Sequence, residues 1–340
     1  MKKFPAGILC QLSIIRFIKL PNGTHCFAVN CLLILLLLFT SCQKKTEWQF
    51  KKISKLSSYE ISDLKRVNDT FIIGCGGERY ARGEFYFSHD NGISFSKEEI
   101  INKQLFGIDF VNADSFFACG YDGKILNSTL AGSDWNFYQH NYWRALKNIL
   151  CVNDSTIISC GGGGFTSGII TRSHDGGATY FSDTFKAELR GLCVAGEQTI
   201  FCSGYGVIYR SDDAGENWQQ QKAEGDFFVS IDFSSAENGI AVGLSGTILK
   251  TENGGVDWQK IRNGNSPINQ SWKFRRVIFK NENEVYIAGD AGLLLKSTDG
   301  GNNWIKIKNT PGENIFSITL SDHGGIIGTQ EGNIYNFLEE

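Results

Sequence analysis

Among the residues able to do chemistry, hydroxyl–carboxylate pairs come first. Ser88 and Asp90, Ser173 and Asp175, Ser211 and Asp213, and Ser297 and Asp299 each lie two residues apart, and Thr251 with Asn253 is a softened copy. Two carboxylates facing each other across a cleft at about 5–10 Å would cleave glycosides. Arginines such as Arg79, Arg82, Arg144, Arg190 and Arg275 could hold an anionic substrate. The spacing favours a structural role for the aspartates. Each is followed two residues on by Gly and five residues on by an aromatic: Phe95, Tyr180, Trp218 and Trp304, with Trp258 in the softened copy. That is turn chemistry. The hydroxyl and carboxylate bond backbone donors, Gly supplies positive φ, and the aromatic wedges between layers. No catalytic residue, metal or cofactor is expected, since P-loop, His-Glu-x-x-His, EF-hand and Cys-x-x-Cys patterns are lacking. The run Gly161–Gly164 precedes Phe165 rather than a Lys-Ser pair and reads as a glycine-rich turn. His89 and His174 fill variable turn positions and are expected to be solvated.

The turns belong to a repeat. Leading glycines at Gly83, Gly123, Gly168, Gly206, Gly246, Gly292 and Gly332 are spaced by 38 to 46 residues, and in the first six copies an aromatic follows 12 residues later. Two strand-like segments precede each glycine and two follow it. Four short antiparallel strands per repeat of this length are the arithmetic of a β-propeller blade. Runs such as Leu293-Leu294-Leu295 suit sheets buried on both faces. In the second copy Leu130 stands where Asp is expected after Ser128, so that turn is predicted to hold by packing alone. The seventh copy ends at Glu340 without its fourth strand, and Trp48–Ile53 resembles the fourth strands of other copies. The fold predicted is all-β: a seven-bladed propeller over 48–340, closed by its N-terminal strand, which removes a pairable edge.

Before the ring, Lys2, Lys3, Arg16 and Lys19 precede an apolar run from Cys31 to Phe39 that is too short for a comfortable membrane span of about 20 residues. Phe39-Thr40-Ser41-Cys42 resembles the lipobox of bacterial lipoproteins. The resemblance implies a signal peptide over 1–41, lipid on Cys42, a tether over 42–47, and a place in the bacterial cell envelope. Gln43 favours an outer-membrane anchor facing the periplasm or cell surface. In the folded part, Cys75, Cys119 and Cys160 read as small buried residues. Cys151 with Cys160 and Cys193 with Cys202 are each nine residues apart and are left open as hairpin disulfides.

The turns resemble the BNR/Asp-box repeats of sialidases and other propellers, in which they are structural and lie opposite the usual binding face. The combination from Val242 to Trp258 resembles the photosystem II assembly/stability-factor type of seven-bladed propeller. That resemblance implies a non-catalytic protein that binds a membrane-protein client, without fixing a role in photosynthesis. A sialidase-like hydrolase or a glycan-binding module is the alternative, although no proline follows an arginine as the sialidase entry motif requires.

Beyond position 41 there are 29 basic and 36 acidic residues, a net of −7, which argues against nucleic acid. The assembly-factor resemblance implies a protein partner, with a glycan as the alternative, and the propeller itself is expected to be a monomer. Loops entering the innermost strands and loops joining second to third strands share one rim. That rim is predicted to collect Arg79, Tyr80, Arg82, Trp143, Arg144, Arg190, Phe228, Trp272, Arg275 and Phe316, residue types enriched at binding hot spots.

Overall fold

The computed structural model describes residues 47–340, which form one compact unit. The signal read over 1–41, Cys42 and most of the tether lie outside the described residues. Seven four-stranded antiparallel sheets are arranged as blades. Their innermost strands are Glu60–Arg66, Leu105–Phe110, Leu146–Cys151, Leu189–Ala195, Phe228–Phe233, Phe274–Phe279 and Ile315–Ser321, here blades 1 to 7. Neighbouring innermost strands touch around the whole circle, blade 7 against blade 1 included.

Closure follows the predicted scheme and extends it. Trp48–Lys55 is the outer strand of blade 7 and pairs with Asn333–Glu339, in register from Trp48 opposite Glu339 to Lys55 opposite Asn333. The Phe50 ring stacks on Phe337 at 5.8 Å, and the Trp48 ring meets Phe337 at 5.8 Å and Tyr286 of blade 6 at 6.3 Å. Apolar clusters run between successive blades, which is why strands such as Ile72–Glu78 are buried on both faces.

Polar side chains near the axis stitch blades together. Asp109 of blade 2 accepts the amide of Cys151 in blade 3 at 2.9 Å. Asp232 of blade 5 accepts that of Phe279 in blade 6 at 2.7 Å, and Ser317 of blade 7 donates to the Ile61 carbonyl of blade 1 at 3.0 Å. All six cysteines of the described residues are free thiols, so neither hairpin disulfide forms. Register explains this: Cys151 opposes Ile157 while Cys160 opposes Asn148, and Cys193 opposes Phe201 while Cys202 opposes Leu192. Cys75, Cys119 and Cys160 are buried packing residues, as predicted.

The Asp-box turns are built as their chemistry requires. Ser297 Oγ donates to Asp299 and accepts the Gly301 amide, and Asp299 accepts the amide and side chain of Asn303. The same pattern holds at Ser88/Asp90, Ser173/Asp175 and Ser211/Asp213, and with Thr251/Asn253 in place of the pair in blade 5. Hydrogen bonds from the Ser94 and Thr179 hydroxyls, and from the Asn217 and Asn303 amides, hold Asp90, Asp175, Asp213 and Asp299 at about 2. Their ionised forms therefore support the fold above the usual carboxylate range, and that support is lost as pH falls toward 2. Indole N–H groups of Trp218 and Trp304 donate back to Gly215 and Gly301.

Blade 2 corrects the expectation of a turn held by packing alone. Asp134, just before Trp135, supplies the missing carboxylate from the other side of the turn. It accepts Ser128 Oγ at 2.8 Å and the amides of Thr129 and Leu130 at 3.0 and 2.9 Å. The roles of the third and seventh turn positions are exchanged, and the geometry survives.

Candidate functional site: the axial funnel

Each innermost strand carries a bulge just after its first buried apolar residue. Register slips between Ile61 and Asp63, Leu105 and Gly107, Leu146 and Asn148, Leu189 and Gly191, Phe228 and Ser230, Phe274 and Arg276, and Ile315 and Ser317. The extra residue at a bulge is left unpaired and can be re-aimed. Here the seven extra residues are Ser62, Phe106, Lys147, Arg190, Val229, Arg275 and Phe316, and all seven line one cavity of about 320 Å³. It lies on the rim opposite the Asp-box turns, because innermost strands begin there.

Of the predicted rim residues, Arg79, Arg190, Arg275 and Phe316 converge on this funnel. Tyr80 packs on Tyr121 at 5.1 Å, and Tyr121 itself lines the funnel. Arg82 sits over the Tyr59 ring and pairs with Glu99. Trp143 and Arg144 are exposed before the blade 3 strand. One placement is corrected. Phe228 is 0% exposed and belongs to the core of blade 5, since it is the residue before the bulge. Trp272 packs against the core between blades 5 and 6 with the Arg262 guanidinium 4.4 Å over its ring. Sequence reading missed Glu60, Phe106, Tyr121, Lys147 and Arg276, all funnel-lining. The available signal was alignment: Phe106 and Lys147 occupy the position of Arg190, Arg275 and Phe316.

Charges in the funnel are largely matched within the chain. Arg190 holds Glu188 at 2.6 Å, Arg275 takes Asp290 through two bonds of 2.7 and 3.0 Å, and Arg276 holds Asp63 at 2.7 Å. Lys147 and Arg79 have no ion pair among the described residues. Lys147 lies 3.4 Å from the centroid of Phe106, and burial, aided by Arg190, brings its amine down to about 7. Burial raises Glu60, which accepts bonds from Ser62 and Gln104.

Below the funnel, Asn148 and Arg276 also line a narrower cavity of about 140 Å³ that holds Asp63, Lys65 and Asp232. Burial pushes Asp232 up to about 6 against the Phe279 and Phe233 amides that oppose it. A folded-state value above the unfolded one near 3.9 means that stability is full below about pH 4 and falls as pH rises through 6. Asp232→Asn keeps an acceptor for Phe279 and removes the charge. The variant should therefore lose the decline between pH 4 and 7, worth up to about 3 kcal/mol for a shift of two units. Urea denaturation across that range checks it; parallel pH profiles for variant and parent would contradict it.

A larger cavity, about 690 Å³, opens on the Asp-box side around Arg66, Lys280 and Leu338. Its cations serve the chain itself: Arg66 bonds the Leu320 carbonyl and Asn91, and Lys280 the Asp322 carbonyl. His89 and His174 are exposed, as expected, and each has a partner: His89 stacks on Phe71 at 4.4 Å and His174 bonds Glu216 at 2.8 Å. The Gly161–Gly164 run is mostly strand, ending Ile157–Gly163 before a three-residue turn. Among the described residues no cluster of three His, Cys, Asp or Glu could hold a metal.

Comparison with known proteins agrees with the repeat pattern. Residues 223–340, essentially blades 5 to 7, match the family model described as photosynthesis system II assembly factor YCF48. The match is to the YCF48 family. Among solved structures, the chain is similar to "YCF48 bound to D1 peptide" at 17% identity and a TM-score of 0.67, covering 86% of this chain and 97% of that one. It is similar to YCF48 from Cyanidioschyzon merolae at 13% identity and 0.66, covering 85% and 98%. The WD40 propeller domain of Doa1 is similar at 12% and 0.67, covering 86% and 97%. At these identities the structural likenesses establish the fold. No curated protein sequence matches the chain.

Proposed function

We propose that this YCF48-like propeller is a non-catalytic binding scaffold whose funnel-side rim takes a protein client during assembly. The observation carrying the proposal is the bulge ring. Seven equivalent positions face one funnel, yet they hold Ser, Phe, Lys, Arg, Val, Arg and Phe. Scaffold alone would not require such variety at equivalent positions. A YCF48 structure bound to a D1 peptide supports protein binding as the task of the family. The sialidase-like alternative needs three arginines free to clamp a substrate carboxylate. Here Arg190, Arg275 and Arg276 each hold a carboxylate of their own chain.

Export and lipid attachment at Cys42 complete the proposal and rest on the sequence of the N-terminal segment. The first strand begins with Trp48 on the Asp-box side, where outer strands start, so a lipid at Cys42 would tether that side and leave the funnel free for a client. Cross-linking tagged protein in its native membranes tests the whole reading. A specific envelope protein recovered with the parent and lost with rim variants is expected. Recovery of oligosaccharide instead would favour the carbohydrate-binding alternative.

A further inference from the structure

The loop joining the second and third strands of blade 3 holds a residue in a conformation its type disfavours. Phe165 has φ +65°, directly after Gly164 at the same value. A bulky residue there is strained, and such strain persists only where surrounding structure enforces it. The core does not call for the ring, which is 54% exposed. Glycine, four times in the preceding positions, would suit the backbone better.

The surroundings enforce it with a buried charge. Glu188, 5% exposed, accepts the Phe165 amide at 3.2 Å, and its own amide donates to the Phe165 carbonyl at 3.0 Å. Arg190 from the bulge ring locks that carboxylate at 2.6 Å. The Phe165 ring then stands 4.9 Å from Tyr205, itself 48% exposed, and 6.1 Å from Phe227, over which Arg190 lies at 5.2 Å. Arg144 lies alongside the loop: its Nη1 is 3.2 Å from where a β-carbon on Gly163 would sit. It is exposed and has no ion pair among the described residues.

We propose that the exposed rings of Phe165 and Tyr205, backed by the buried Phe227, form an anchor for an apolar side chain of an extended client segment, with acidic neighbours of that side chain meeting Arg144. The proposal rests on the scaffold reading above and assigns it one contact. Exposed aromatic area held in place at a cost to the backbone is suited to a partner that covers it, and the unpaired guanidinium beside it sets the charge of the flanks.

The test uses fluorescein-labelled Gly/Ser peptides carrying one Leu flanked by Glu, with Leu→Ala and Glu→Lys versions as comparisons. The parent protein should bind the Leu/Glu peptide at least about tenfold more tightly than either comparison, a difference of about 1.4 kcal/mol. Phe165→Gly should keep the melting temperature or raise it, and should lose the preference for Leu over Ala. Phe165→Tyr should retain it. Equal binding of the Leu and Ala peptides by the parent, or an unaltered preference in Phe165→Gly, overturns the proposal. If Phe165→Gly keeps capture of the native client while rim charge reversal abolishes it, the anchor is wrong and the scaffold reading stands.

Discussion

Deletion of residues 47–55 is expected to abolish cooperative unfolding and to leave an aggregating chain. These residues supply the whole outer strand of blade 7, and their side chains cover Phe337 and reach Tyr286 in blade 6. Removing a fully buried aromatic costs about 3–5 kcal/mol; the two half-buried rings lost here forfeit part of that each, together with a ladder of backbone bonds. A fold of this kind is stable by about 5–15 kcal/mol in all. The deletion also opens Asn333–Glu339 as an unpaired edge, which templates association. A milder variant, Trp48→Ala, should fold and lose about 3 kcal/mol, since Trp48 stays partly exposed and Lys296 sits over its ring at 5.1 Å. Thermal melts with size-exclusion chromatography decide the matter. A truncated chain that melts like the parent as a monomer would show that closure contributes little.

Reversing the two unpaired rim guanidiniums should weaken client capture by about tenfold or more while moving the melting temperature little. The variant is Arg79→Glu with Arg144→Glu, because both side chains are exposed and neither has an ion pair among the described residues. Arg275 is a poorer choice: its two bonds to Asp290 mean that a glutamate there would repel a carboxylate and perturb the fold. Glu282→Lys on an exposed turn of the opposite face changes charge without touching the funnel. Capture should be unchanged by it. Equal capture by all three proteins would place the client elsewhere.

The fold was legible because its turns impose residue types. A hydroxyl, a carboxylate, a positive-φ glycine and an aromatic must stand at fixed offsets for the Asp-box turn to close, so the period shows through weak overall similarity. Closure was legible for the same reason, since Trp48 repeats the aromatic that ends other blades. Asp134 escaped notice because either side of the turn can supply the acid. The funnel was only partly legible. Its bulge positions share a direction and no residue type, so Arg190, Arg275 and Phe316 drew attention as hot-spot types while Lys147 and Phe106 did not. Phe228 was misplaced by one residue: the bulge turns its neighbour Val229 toward the axis and sends Phe228 into the core. Phe165 could not be read from sequence at all, because its interest lies in a backbone angle.

A photoreactive phenylalanine analogue at position 316, in the funnel, compared with the same analogue at position 256, in the Asp-box turn of blade 5, tests the central claim most directly. Phe316 lines the cavity and Val256 is exposed on the other side. After irradiation in native membranes, a discrete protein adduct should form from position 316 and be absent from position 256. An adduct from position 256 alone, or equal adducts from both, would contradict a client bound at the funnel.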